Sequence, residues 1–161
     1  NRSSGFRIFG SNNLLLNNIS LNNTQGILIT EGRNSVAIEN EIKESKSTAL
    51  LVFNEFSNCF AGENSVECND REGMFIIGNF GMCLNNELSY NRDTGITFET
   101  FTLGNLAMGN KLVCNIPENI AGRDTENNFI NNMDKPCKPC ESPSDACDGC
   151  SNHKLAETSN K

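Results

Sequence analysis

Three-residue segments with apolar flanks recur along the chain at a nearly constant interval. Phe6-Arg7-Ile8, Ile27-Leu28-Ile29, Leu50-Leu51-Val52, Met74-Phe75-Ile76 and Ile96-Thr97-Phe98 each put their outer two residues on one face, which is the two-residue period of a β-strand. A second set reads Val36-Ala37-Ile38, Met82-Cys83-Leu84 and Leu106-Ala107-Met108, and single apolar anchors at Ile19, Ile42, Val66, Leu88 and Leu112 mark a third strand. Neighbouring anchors lie 22 to 24 residues apart. Three short strands in each such interval, always at the same phase, describe a repeating coil and not a set of hairpins.

The polar residues keep the same phase. Asn17, Asn40, Asn64, Asn86 and Asn110 stand two positions before the anchors, and Asn22, Ser45, Asn69, Asn91 and Asn115 three positions after them. Gly26, Ala49, Gly73, Gly95 and Asn119 come seven after, with Gly5 opening the first unit, so a small residue begins most coils. An amide carries both donor and acceptor, so stacked Asn side chains can bond along a column and to the carbonyls of a tight bend. Asn also tolerates the left-handed backbone that a sharp corner needs. The pattern predicts an all-β right-handed parallel β-helix of about five coils over residues 1–119, followed by an irregular partial coil over 120–136 and a Cys-rich extension with a polar tail over 137–161.

Composition changes the picture in two respects. Asn makes up 27 of the 161 residues, a bias that the two columns explain structurally. A net charge of -7 and a pI near 4.7 leave nothing to neutralise a row of phosphates, which excludes nucleic acid as the expected partner. No run of 18 apolar residues suggests a membrane span.

The succession Gly26-Ile27-Leu28-Ile29 followed by Asn40-Glu41-Ile42 resembles the parallel β-helix repeat of the pectate-lyase-like superfamily, over roughly residues 5–119. The resemblance implies the right-handed β-helix and a range of roles, among them polysaccharide lyases and hydrolases, phage tailspikes, adhesins and non-catalytic surface proteins. It also implies an extracellular or surface location on a cell, spore or virion. Fold of this kind does not fix function. The resemblance implies, for the hydrolases, a cluster of Asp side chains on one strand face and, for the lyases, Ca²⁺-binding carboxylates with a Lys or Arg base. Neither is visible here. Of six Asp, only Asp70 and Asp93 fall within the repeats, beside Arg71 and Arg92, and the one His, His153, lies in the tail. These four charged residues are expected to form a surface ion-pair network, and no catalytic residue is assigned.

Binding and assembly are better motivated. The middle residues of the first strand set, including Leu28, Leu51 and Phe75, would form an outward apolar patch, to be covered by the chain's own tail or by a partner. The opening strands present unpaired edges on which further chain or another subunit would stack. Cys59 and Cys83 both follow their coil's opening residue by ten, a candidate disulfide between adjacent coils or a pair of buried thiols. Cys68 and Cys114 share a column but sit two coils apart with Tyr90 between. Beyond the repeats, Cys137, Cys140, Cys147 and Cys150 form two CxxC pairs, which suit disulfides in an oxidising compartment or tetrahedral Zn²⁺ in a reducing one. No other cofactor is expected. The reading this supports is a non-enzymatic structural subunit of an extracellular fibre, spike or coat, formed by self-assembly or with another surface protein. A glycan-binding or glycan-cleaving β-helix is the alternative.

Overall fold

A computed structural model describes residues 3–31, 33–53, 58–122 and 126–135, apart from the side chains of Leu51 and Phe53. Among the described residues there are 18 short strands and no helix. The first coil supplies β1 (Ser4–Phe9), β2 (Leu14–Leu16) and β3 (Ile19–Leu21), and the second β4 (Gln25–Thr30), β5 (Val36–Ile38) and β6 (Glu41–Lys43). The third supplies β7 (Leu50–Phe53), β8 (Phe60–Gly62) and β9 (Ser65–Glu67), and the fourth β10 (Met74–Ile77), β11 (Met82–Leu84) and β12 (Glu87–Ser89). The fifth gives β13 (Ile96–Phe98), β14 (Leu106–Met108) and β15 (Lys111–Val113), and the sixth β16 (Ile120–Ala121), β17 (Asn128–Ile130) and β18 (Met133–Lys135).

Each strand pairs in parallel with its counterpart one coil away, giving three six-stranded sheets: β1-β4-β7-β10-β13-β16, β2-β5-β8-β11-β14-β17 and β3-β6-β9-β12-β15-β18. The architecture is a parallel β-helix. The described residues make six turns, close to the about five expected, because residues 120–135, expected as an irregular partial coil, contribute a strand to every sheet.

The core is narrow and stacked. Ile27, Leu50, Met74, Ile96 and Ile120 form one interior column of the first sheet, and Ile29, Val52, Ile76 and Phe98 a second. The third sheet adds Ile42, Val66, Leu88 and Leu112, all fully buried. The second sheet turns its middle residues inward, Leu15 and the small Ala37, Ala61, Cys83 and Ala107. Small residues at the coil openings admit the neighbouring coil. A Cβ on Gly73 would lie 2.7 Å from the Gly95 carbonyl oxygen and 2.8 Å from Leu88 Cδ2, distances no real Cβ keeps.

The asparagines form continuous ladders at the corners. In the corner between the second and third sheets, Asn18, Asn40, Asn64, Asn86, Asn110 and Asn132 pass one amide bond to the next, Nδ2 to Oδ1, at 2.8–3.0 Å. Each Oδ1 also accepts the backbone N–H of the Asn one coil earlier. From Asn40 onward each Nδ2 also donates to a backbone carbonyl of the preceding coil, such as Leu15, Ala37 or Ala61. Every polar atom of a central amide is thereby paired in a buried site, where an orphan would be costly. The second ladder runs Asn69, Asn91, Asn115 and ends on Asn119, which takes the amide bond of Asn115 at 2.6 Å.

Two assignments in the first coil are corrected. Ser20, not Ile19, lies opposite Ile42. Ile19 is 62 % exposed while Ser20 is buried, so the ladder residue is Asn18, not Asn17. Asn17 belongs to the adjacent corner column with Glu39, Glu63, Asn85 and Gly109, all with positive φ. The left-handed bend and the amide ladder are therefore borne by neighbouring residues, the bend by mixed types and the ladder by Asn alone. The first-coil counterpart of Ser45 is likewise Asn23, since Lys46 N–H donates to the Asn23 carbonyl, and Asn22 takes the left-handed position beside it.

Candidate functional site

Charged side chains gather at the corner that leads into the first sheet. Asp70 and Arg92 stack in one column and Arg71 and Asp93 in the next, because Arg92 N–H donates to Asn69 and Asp70 N–H to Ser45 one coil earlier. Arg92 Nη1 lies 3.0 Å from Asp70 Oδ1, and Arg71 Nε 3.6 Å from Asp93 Oδ2. Glu72, nearly buried, accepts the Thr48 hydroxyl at 2.8 Å and faces Arg71 at 3.4 Å. Each Asp is thus matched to an Arg of the adjacent coil, the arrangement expected of a surface ion-pair network, each pair worth at most about 1 kcal/mol. Where the first coil meets the second, Ser3, Ser4, Arg7, Thr24 and Gln25 line an open hollow of about 310 Å³.

The sulfurs at Cys59 and Cys83 are free thiols, not a crosslink. Equal distance from the opening residue misleads, because the connection from first to second sheet is two residues longer in the third coil. Phe60 lies opposite Met82 and Ala61 opposite Cys83, so Cys59 falls two positions short of Cys83 along the strand. One strand spacing and two residues of rise separate such Cα atoms by about 8 Å, beyond the roughly 7 Å limit of a disulfide. Burial pushes the Cys83 thiol up to about 12 and raises that of Cys59 as well, so both stay protonated at neutral pH and neither is an activated nucleophile. Cys68 and Cys114 do share a corner column with Tyr90 between them, all three at positive φ. Cys137, Cys140, Cys147 and Cys150 lie outside the described residues, and among the described residues no cluster of His, Cys, Asp and Glu is arranged to hold a metal.

The expected apolar patch on the first sheet is corrected. Leu28 is only 7 % exposed and Phe75 is half-buried. Their backbones stack in register with those of Arg7 and Leu51 at strand spacing, and the Leu51 side chain lies outside the described residues. The open apolar surface lies on the second sheet. There the inward middle residue leaves two outward columns: Leu14, Val36, Phe60, Met82, Leu106 and Asn128 in one, Leu16, Ile38, Gly62, Leu84, Met108 and Ile130 in the other. Ten of these twelve are apolar with large side chains and none is charged. Phe80, Phe101 and Leu103 extend the surface around the corner from the first sheet, with Phe101 95 % exposed. The outer face of the third sheet is mixed, with Ile19, Leu21 and Met133 exposed at its two ends and charged side chains between them. Lys43 bridges Glu41 and Glu67 at 3.1 Å each, and Lys111 pairs with Glu87.

Sequence reasoning also missed a third amide ladder, where Gly81 N–H donates to Asn105 Oδ1 and Asn105 N–H to Asn127 Oδ1. Its signal was the 22-residue interval from Asn105 to Asn127. Among the described residues, two buried hydroxyls without a partner, Ser35 and Ser45, stand where columns that carry Asn elsewhere hold Ser instead.

No family model and no curated protein matches the sequence. Among solved structures, the fold is similar to the periplasmic alginate epimerase AlgG, at a TM-score of 0.73 and 16 % identity over 84 % of this chain and 37 % of that one. A double mutant of AlgG aligns with a TM-score of 0.73 at 15 % identity, and a single mutant with 0.72 at 15 %. The chain thus spans a little over a third of the length of that enzyme. At this identity the likeness concerns architecture, and it places the chain among parallel β-helix folds.

Proposed function

We propose that this chain is a non-enzymatic structural subunit of an extracellular assembly, which docks through the outer face of its second sheet. The double column on that face, apolar at ten of its twelve positions and uncharged throughout, carries the reading. A solvated sheet face is expected to alternate or to bear charge, as the third sheet does, whereas an apolar surface of this extent marks a contact site. The amide ladders suit the same role, because they stiffen the solenoid along its axis and keep the face flat. The Cys-rich end would crosslink the assembly in an oxidising compartment, in keeping with the periplasmic location named for AlgG.

A glycan-binding or glycan-cleaving role is the second reading, favoured by the fold shared with an alginate epimerase and by the hollow at Arg7, whose guanidinium and neighbouring hydroxyls could receive a uronate carboxylate. Incubation with alginate separates the two, with epimerisation followed by proton NMR and elimination by the absorbance of unsaturated uronate. The structural reading expects neither product above the buffer control. Turnover that is lost in Asp70→Asn or Arg7→Ala, while Met82→Lys retains it, would overturn that reading and move the function to the first sheet.

A further inference from the structure

We infer that Cys68 and Cys114 anchor the Cys-rich C-terminal segment, each through a disulfide to one of Cys137, Cys140, Cys147 and Cys150, so that the segment lies as a strap along one corner of the solenoid. Such a strap is independent of whatever meets the second sheet.

Elimination supplies the partners. Cys68 and Cys114 are both disulfide-bonded, whereas Cys59 and Cys83 are free. The two bonded cysteines are not each other's partners. Cys68 N–H donates to the Ser89 carbonyl and Tyr90 N–H to that of Val113, which sets Cys68 and Cys114 two coils apart. Two strand spacings are about 10 Å, beyond the roughly 7 Å limit between bridged Cα atoms. Of the eight cysteines, that leaves the four beyond Lys135.

Burial agrees. Asn22, Glu44, Cys68, Tyr90 and Cys114 occupy equivalent left-handed bends at one corner, with φ between 52° and 56°. Asn22 and Glu44 are exposed, Cys68 and Tyr90 half-buried, and Cys114 only 1 % exposed. Equivalent bends turn their side chains to solvent alike unless something covers them, and here the cover increases toward the end from which the C-terminal segment departs. Reach is sufficient. Cys114 N–H donates to the Lys135 carbonyl at 2.8 Å, so Lys135, the end of β18, lies beside Cys114, and Cys137 follows two residues later. Five extended residues from Lys135 to Cys140 span about 17 Å, more than the roughly 14 Å of three coils back to the Cys68 corner.

Each bond forms by exchange with a disulfide oxidant of an oxidising compartment. Two thiols of the chain lose two protons and two electrons, and the oxidant leaves as two thiols. The anchors use two of the four C-terminal sulfurs, and the other two are left to bond each other or a second chain.

Disulfide mapping of the full chain tests the strap. The protein is exported to an oxidising compartment, its thiols are alkylated in denaturant at low pH, and non-reduced peptic peptides are read by mass spectrometry. The expected result is alkylation of Cys59 and Cys83, with Cys68 and Cys114 each joined to a peptide from residues 137–150 in the monomer. Either anchor found alkylated, joined to the other anchor or to Cys59 or Cys83, or joined to the C-terminal segment only in covalent dimers, would overturn the strap. Reductant is expected to lower the melting temperature of the wild-type chain by on the order of 10 °C, and that of Cys68→Ser combined with Cys114→Ser by far less. Equal shifts in the two proteins would place the stabilising bonds elsewhere and overturn it as well.

Discussion

Asn64→Ala is expected to lower the unfolding free energy by about 4 kcal/mol, a large share of the roughly 5–15 kcal/mol that holds an ordinary domain. The wild-type amide takes part in four hydrogen bonds in a fully buried site. It accepts from Asn40 N at 3.0 Å and Asn40 Nδ2 at 2.9 Å, and donates to the Ala37 carbonyl and to Asn86 Oδ1 at 2.9 Å each. Truncation removes these four bonds and takes this acceptor from the Asn40 N–H and this donor from the Ala37 carbonyl, each costing about 1–3 kcal/mol where water cannot replace the partner, while Asn40 Nδ2 keeps the Leu15 carbonyl and Asn86 Oδ1 keeps the backbone N–H of residue 64. Asn64→Asp keeps the shape but turns an acceptor toward Asn86 Oδ1 and the Ala37 carbonyl, and is expected to cost at least as much. Asn17→Gly is the contrast. Asn17 is exposed and bent at φ 55°, a conformation glycine adopts freely, so the change stays within about 0.5 kcal/mol. Urea denaturation followed by far-ultraviolet circular dichroism suits a chain without Trp. Equal effects of Asn17→Gly and Asn64→Ala would refute the assignment of the ladder.

Leu88→Ala carries the second large effect, about 3–5 kcal/mol in the same assay. Leu88 is fully buried and lies opposite Val66 and Leu112 in the flanking coils. Its Cδ2 also occupies the space that a Cβ on Gly73 would claim. In a solenoid the backbone of each coil is bonded to the coils on both sides, so the walls of the resulting cavity cannot close and the cost falls toward the upper end for such truncations. A loss below about 1.5 kcal/mol would show a core far more yielding than this stacking allows.

The same contrast between buried and outward positions explains what the residue pattern disclosed. Three strands per coil and the ladder from Asn40 to Asn110 were legible because identical residues recur at fixed phase, and a stack makes like sit upon like. The first coil misled because its inward residue on the third sheet is Ser20, so an apolar anchor pointed to Ile19 and shifted the amide column by one. The pairing of Cys59 with Cys83 failed because register restarts in each sheet, and a connection longer by two residues is invisible when positions are counted from the coil opening. The outer face of the second sheet was the most consequential omission. Strands such as Leu106-Ala107-Met108 have large flanks and a small centre, and size suggests that the flanks face inward. A narrow core corner reverses this: it has room for Ala37, Ala61 and Ala107, and the bulky residues are left outside.

That reversal links stability to function here. On the second sheet the interior is closed by small side chains, so the large apolar groups lie outside the core, on the face proposed to meet a partner. Sedimentation velocity tests this most directly, comparing the wild-type chain with Met82→Lys combined with Met108→Lys over a range of concentrations. The account predicts that the wild-type chain associates as its concentration rises, while the double variant stays monomeric and keeps its melting temperature. Association of the double variant equal to that of the wild type, or its loss through Lys43→Glu on the third sheet instead, would contradict it.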